Sequence, residues 1–182
     1  MSRGFFEAIA DAFDFSRFPW IVDVGGGQGQ LLGGILARHP GSKGILYDLP
    51  EIVTGAPAVL RAHGVADRCE AVGGDMFSSV PPSGEAYVLS RVLLDHEDAK
   101  VSTILRACRS AMGASGRLIV IERITEPNRP QLMLVDITML VMTGGRERTL
   151  AEFTTLFAEA GFELEQTVVT RSPFTMLVAA PV

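Results

Sequence analysis

Val22-Asp23-Val24-Gly25-Gly26-Gly27-Gln28-Gly29 is a short apolar strand that runs straight into a cluster of glycines. Four glycines in five residues exceed what an ordinary tight turn needs. Glycines where a strand gives way to a helix supply positive φ and let the backbone approach a ligand closely. The spacing is Gly-x-Gly-x-Gly, preceded by Asp23. Gln30 stands where the dinucleotide fingerprint G-x-G-x-x-G has its last glycine, which disfavours a nicotinamide-dependent dehydrogenase.

Outward from this turn, strands and helices alternate. Helical spacing over 31–38 follows the first strand, and 43–47 reads as a second strand. A helical stretch from Pro50 to about His63 leads to a third strand at 69–72 and a fourth at 85–89. Val101, Ile104, Leu105 and Cys108 repeat at i, i+3, i+4, i+7, predicting an amphipathic helix over 98–112. A fifth strand at 116–121, an apolar helix over 131–142 and a helix over 150–160 come next. The chain closes with a hairpin, 162–170 and 174–180, turned by Arg171-Ser172-Pro173. This order predicts an α/β fold with a doubly wound, mostly parallel sheet and an antiparallel last strand.

Composition narrows the function classes. The 182 residues suit one domain, and 47% of them are hydrophobic. Mean hydropathy is high at +0.28, yet no run approaches the roughly 18 apolar residues of a membrane span. The net charge of −5, without a long basic run, argues against nucleic acid as a partner. Cys69 and Cys108 stand far apart and read as reduced core residues, so no metal site is expected. The N-terminus lacks a signal-like cleavage site, which makes a cytoplasmic protein the default expectation.

Two further carboxylates belong with the glycine turn. Asp48 ends the second strand about 20 residues past it, where a carboxylate can accept hydrogen bonds from both ribose hydroxyls of a nucleoside. Asp75 ends the third strand, and Met76-Phe77 behind it could grip a flat base. Together they predict one nucleoside ligand across the carboxyl edges of the first three strands.

Four stretches carry a family resemblance: the glycine turn, Tyr47-Asp48-Leu49-Pro50, Gly74-Asp75-Met76-Phe77, and Gly144-Gly145-Arg146-Glu147-Arg148-Thr149. In this order and spacing they resemble the class I S-adenosylmethionine-dependent O-methyltransferases, the group that includes plant caffeate and bacterial polyketide and carotenoid enzymes. The resemblance implies a seven-stranded sheet with a reversed last strand. It implies S-adenosylmethionine as cofactor and methyl transfer to a hydroxyl of a small aromatic, polyketide or polyene-like molecule. Asp23, Gly25, Gly27, Gly29, Asp48, Leu49, Asp75, Met76, Phe77, Ser90 and Arg91 would bind the cofactor. Ser90 stands where the family often has a lysine.

The base position departs from the family. Members that deprotonate a phenol carry His-Asp-Trp after the fourth strand, and this chain has Leu94-Asp95-His96. Leucine cannot accept a proton. Glu122 and Glu147 correspond to the glutamates that flank the family's histidine, and His96 is the remaining candidate base. On a helical start it points about 200° away from Leu94. Transfer by proximity, without a base, is one expectation; a lapsed or repurposed homologue, such as a hydroxylase, is the alternative. Leu94, Met133, Asp136 and Met139 are the expected substrate-pocket residues.

The resemblance also divides the chain. Residues 1–19 read as the remnant of a connecting helix, and 20–182 as the cofactor-binding domain. The resemblance implies dimerisation through an N-terminal helical domain, which is expected to be absent from these 182 residues. An uncovered apolar face is therefore expected, centred on Phe5, Phe6, Phe13, Phe15 and Phe18 and on the methionines of 131–142.

Overall fold

β1 (Trp20–Val24) runs through the middle of a seven-stranded sheet, paired in parallel with β2 (Lys43–Asp48) on one side and β4 (Ala86–Ser90) on the other. The computed structural model describes residues 3–126 and 145–182. Strand order is β3-β2-β1-β4-β5-β7-β6, with β3 at Cys69–Gly73, β5 at Arg117–Glu122, β6 at Phe162–Val169 and β7 at Thr175–Pro181. β7 lies antiparallel to both β5 and β6, as the helix-free connection of the hairpin requires.

β1, β4 and β5 are buried along nearly their whole length because helices cover both faces. Alternation sends Val22, Val24, Tyr87 and Leu89 toward α5 (Asp98–Ala111) and the helix Leu150–Glu159, here α6. Ile21, Ala86, Val88 and Ile119 face the other way, toward α1 (Arg3–Asp11), α2 (Gln30–Arg38) and α4 (Ala56–Ala62). Among the described residues the apolar side chains thus gather into a two-faced core. Cys69 and Cys108 are buried free thiols, each pushed up to about 12 by burial. No helix among the described residues is long and apolar enough to cross a membrane.

Two expectations need correction. The stretch from Pro50 to His63 is two helices, α3 (Pro50–Val53) and α4. Pro57 lacks an N–H and its ring would collide with the carbonyl four residues earlier, at Val53, where α3 ends. The N-terminal phenylalanines are not an uncovered face. α1 packs on α2, and a short 3₁₀ turn, Phe15–Arg17, reverses the chain so that Ile9, Phe15 and Phe18 are buried. Phe5, Phe6 and Phe13 are half-buried. The helix expected over 131–142, with Met133, Asp136 and Met139, lies outside the described residues.

Phe15 is fully enclosed between α1, α2 and the sheet. Phe15→Ala is expected to destabilise the fold by about 3–5 kcal/mol, read from denaturant unfolding. A loss below about 1 kcal/mol would mean that the N-terminal segment is detachable from the core.

Candidate functional site

Gly25, Gly27 and Gly29 adopt φ of 70°, 64° and 86°, a left-handed series that brings the chain from β1 into the first turn of α2. Asp48, the last residue of β2, ties this turn to its own strand. Its Oδ2 accepts from the Gly27 N–H at 2.7 Å and its Oδ1 from the Leu49 N–H at 2.7 Å. The Gly25 N–H donates to the Tyr47 carbonyl at 2.7 Å. A carboxylate has about four lone-pair sites, so Asp48 keeps acceptor capacity beyond these two bonds.

Asp75 organises the next loop in the same manner. Its Oδ1 accepts from the Phe77 N–H at 2.9 Å and its Oδ2 from the Ser78 hydroxyl at 2.9 Å. That turn presents Met76 and Phe77 toward Leu49. Tyr47 forms the floor, its hydroxyl donating to the Ser79 carbonyl at 2.8 Å. Gly25, Tyr47, Asp48, Leu49, Gly74, Asp75, Met76, Phe77 and His96 enclose a cavity of about 180 Å³. This is smaller than the roughly 300–1,000 Å³ of small-molecule sites, so it suits a flat ring and sugar rather than an entire ligand. Leu49 and Phe77 are exposed at its rim.

Several expected cofactor residues sit beside the cavity rather than on its wall. Asp23 lies beneath the glycine turn, buried, with neither carboxylate oxygen hydrogen-bonded among the described residues. Burial, reinforced by the charge of Asp48, pushes it up to about 7. The Ser90 hydroxyl is also buried and unpartnered among the described residues. Arg91 turns away: its backbone is left-handed at φ 57°, and its guanidinium lies 5.8 Å from the centre of the Phe174 ring.

The segment after β4 carries the expected base position. Leu93–Asp95 forms a 3₁₀ turn, with Leu94 half-buried. Glu122, at the end of β5, accepts from the N–H groups of Leu93 and Leu94 at 2.9 and 3.3 Å. Burial pushes its carboxyl up to about 8, against the pull of those donors and of Arg148. Glu147 pairs with Arg123 at 3.2 Å. His96 reaches the cavity and meets Phe77 edge-on, ring centres 5.2 Å apart. Burial holds its pKa below the ordinary 6.5, although Asp95 pulls the other way. His96 therefore joins the Asp75–Phe77 side of the site, and neither Leu94 nor Glu122 is on the cavity wall.

Residues 5–163 match the O-methyltransferase domain family. The chain belongs to that family. It is 42% identical to the phenazine O-methyltransferase PhzM of Lysobacter antibioticus, over 97% of this chain and 52% of that protein. It is 39% identical to the O-demethylpuromycin-O-methyltransferase of Streptomyces alboniger, over 96% of this chain and 48% of that protein. Among solved structures it resembles the O-methyltransferase NcsB1 of neocarzinostatin biosynthesis, in complex with S-adenosylmethionine and 2-hydroxy-5-methyl naphthoic acid. The TM-score there is 0.87 at 33% identity, covering 96% of this chain and 52% of that one. The chain spans about half the length of the curated relatives it matches.

Three residues of this O-methyltransferase domain stand in motifs quoted from the sequence but were given no role there. Tyr47 supplies the cavity floor, and Gly145 and Arg148 grip the turn after β4. Arg148 is fully buried, which charge patterning alone would not suggest for an arginine inside Arg-Glu-Arg-Thr.

Asp23 and Glu122 have carboxyls raised in the fold, so between about pH 4 and pH 8 the folded state holds more protons than the unfolded chain. The stability they contribute is full below their unfolded pKa and is lost as pH rises through about 7 and 8. The melting temperature is expected to fall between about pH 5 and pH 8, and Asp23→Asn to flatten the lower part of that fall. A melting temperature that holds steady or climbs across this range, in scans at constant ionic strength, would contradict the assignment.

Proposed function

We propose that this chain is the cofactor-binding catalytic domain of a methyltransferase that uses S-adenosylmethionine to methylate a hydroxyl on a small aromatic or polyketide-like molecule. The reading rests on one observation. In a chain of this family, Gly25, Asp48, Leu49 and the turn 75–77 converge on a single cavity at the carboxyl edges of β1 to β3. The ligands named for NcsB1 support the cofactor, and the names of the phenazine and demethylpuromycin enzymes support an aromatic hydroxyl as acceptor.

The donor set fits such a cofactor. Asp48 has acceptor sites left for a pair of sugar hydroxyls. Leu49, Met76 and Phe77 offer apolar and polarisable surface to a purine. The buried oxygens of Asp23 and Ser90, unpartnered among the described residues, suit polar groups or water brought in with it. When bound, S-adenosylmethionine supplies a methyl group on a sulfonium sulfur, already a strong electrophile.

The remaining work is orientation and exclusion of water. Leu94 takes no proton, the Glu122 oxygen faces the backbone of the turn, and His96 stands against Phe77. Alignment alone can supply roughly 7–11 kcal/mol, whereas a general base typically adds about 10²–10⁴-fold. An acceptor hydroxyl that is already acidic, and releases its proton to water, suits this site. A second reading, a cofactor binder that no longer transfers methyl groups, is favoured by Leu94 at the base position and by Ser90 where the family often has a lysine.

Asp48→Ala is expected to weaken S-adenosylhomocysteine binding by about 1–3 kcal/mol in calorimetry. Unchanged affinity would remove Asp48 from the nucleoside site. Leu94→His is expected to raise methyl transfer to a weakly acidic phenol by about tenfold or more. Binding without turnover on any hydroxylated aromatic, in both the parent and this variant, would favour the second reading.

A further inference from the structure

The turn Leu93–Asp95 has no side-chain cap of its own, yet it carries His96 into the cavity wall. Its backbone groups are satisfied from outside. Glu122 takes the N–H groups of Leu93 and Leu94. Arg148 takes the carbonyls: Nη1 donates to Leu93 at 2.8 Å and Nη2 to His96 at 2.6 Å. The same guanidinium reaches Asp98, at the start of α5, through Nε at 2.9 Å. Gly145 closes the grip, since a β-carbon there would collide with the Leu94 carbonyl oxygen and the Asp95 backbone.

We propose that Arg148 is a positioning residue of the cofactor cavity: it fixes the turn 93–96 and thereby holds His96 against Phe77. This rests on the reading of the cavity as the S-adenosylmethionine site. Only an arginine suits the geometry. Its planar fork presents five donors in fixed directions, so one side chain can serve two carbonyls and a carboxylate at once. A lysine offers three donors on one atom and cannot span them. The ion pair with Asp98 keeps the buried charge compensated. Burial works against ionisation of Asp98, but hydrogen bonds and charge from Arg148 and Arg146 outweigh it and hold its carboxyl below the usual range. Arg146 also binds Glu152, which completes the capping box of Thr149 at the start of α6. The starts of α5 and α6 and the cavity wall are therefore joined through side chains about 50 residues from the turn in sequence.

A merely structural arginine would alter stability without acting through His96, and a double-mutant cycle separates the two. The full chain is titrated with S-adenosylhomocysteine by calorimetry as the parent, R148Q, H96A and R148Q/H96A, with thermal melts monitoring folding. R148Q is expected to weaken binding about tenfold in the parent and less than about twofold in the H96A background. Equal weakening in both backgrounds overturns the proposal. A second readout needs no ligand: the ring-current shift of the His96 imidazole protons from Phe77, by NMR. It is expected to collapse in R148Q, and its persistence overturns the proposal. Should R148Q not fold, R148K, which keeps the charge but not the fork, carries the same two tests with the same expected losses. Collapse of the shift in a chain whose parent does not bind S-adenosylhomocysteine would refute the cofactor reading and leave the positioning role standing.

Discussion

Parallel strands can be joined only by crossovers, and crossovers are right-handed. In this sheet the chain winds outward from β1 through β2 to β3, then returns past β1 to β4 and β5. The connections leaving β1 and β4 therefore run to opposite sides, and a crevice opens above the carboxyl ends of the central strands. The glycine turn lies at that crevice. Its left-handed residues keep the backbone low, and the bond from the Gly27 N–H to Asp48 locks it to the neighbouring strand. The cavity, its carboxylates and the turn after β4 all take their positions from this reversal of winding.

Around the crevice, among the described residues, the chain buries three ionisable groups. Asp23, Glu122 and Arg148 are each almost wholly enclosed, and each sits at or directly beneath a loop that borders the site. A buried charge without partners is strongly destabilising, so each must be neutralised or compensated. Asp23 and Glu122 move toward neutrality through raised pKa values, while Arg148 is compensated by Asp98 and the carbonyls of Leu93, Arg146 and His96. Low dielectric strengthens the bonds that are made, so these short loops are held by side-chain bonds as well as by their own backbone.

Much of the frame was legible from periodicity. Strand and helix alternation, the hairpin with its reversed last strand and the cysteines as core residues follow from local spacing, which governs which face each residue buries. The break at Pro57 was legible in principle, because a proline's missing N–H is a local fact. The burial of Phe15 and Phe18 was not, because an apolar segment does not say whether its cover lies within the same chain. Arg91 and Ser90 show the same boundary: their numbers put them at the edge of β4, but a left-handed φ at Arg91 sends its side chain toward Phe174.

The sequence by itself determined the doubly wound sheet, the glycine turn and the carboxylates Asp48 and Asp75, since all depend on backbone conformation and on residues close in the chain. It also determined that Leu94 cannot serve as a base, which is a matter of side-chain chemistry. Only the tertiary structure decided that His96 faces Phe77 in the cavity, that Glu122 holds a turn, and that Arg148 grips the same turn from the other side. These contacts join segments tens of residues apart. Their partners are chosen by how the sheet and helices pack, a three-dimensional outcome that no local pattern encodes.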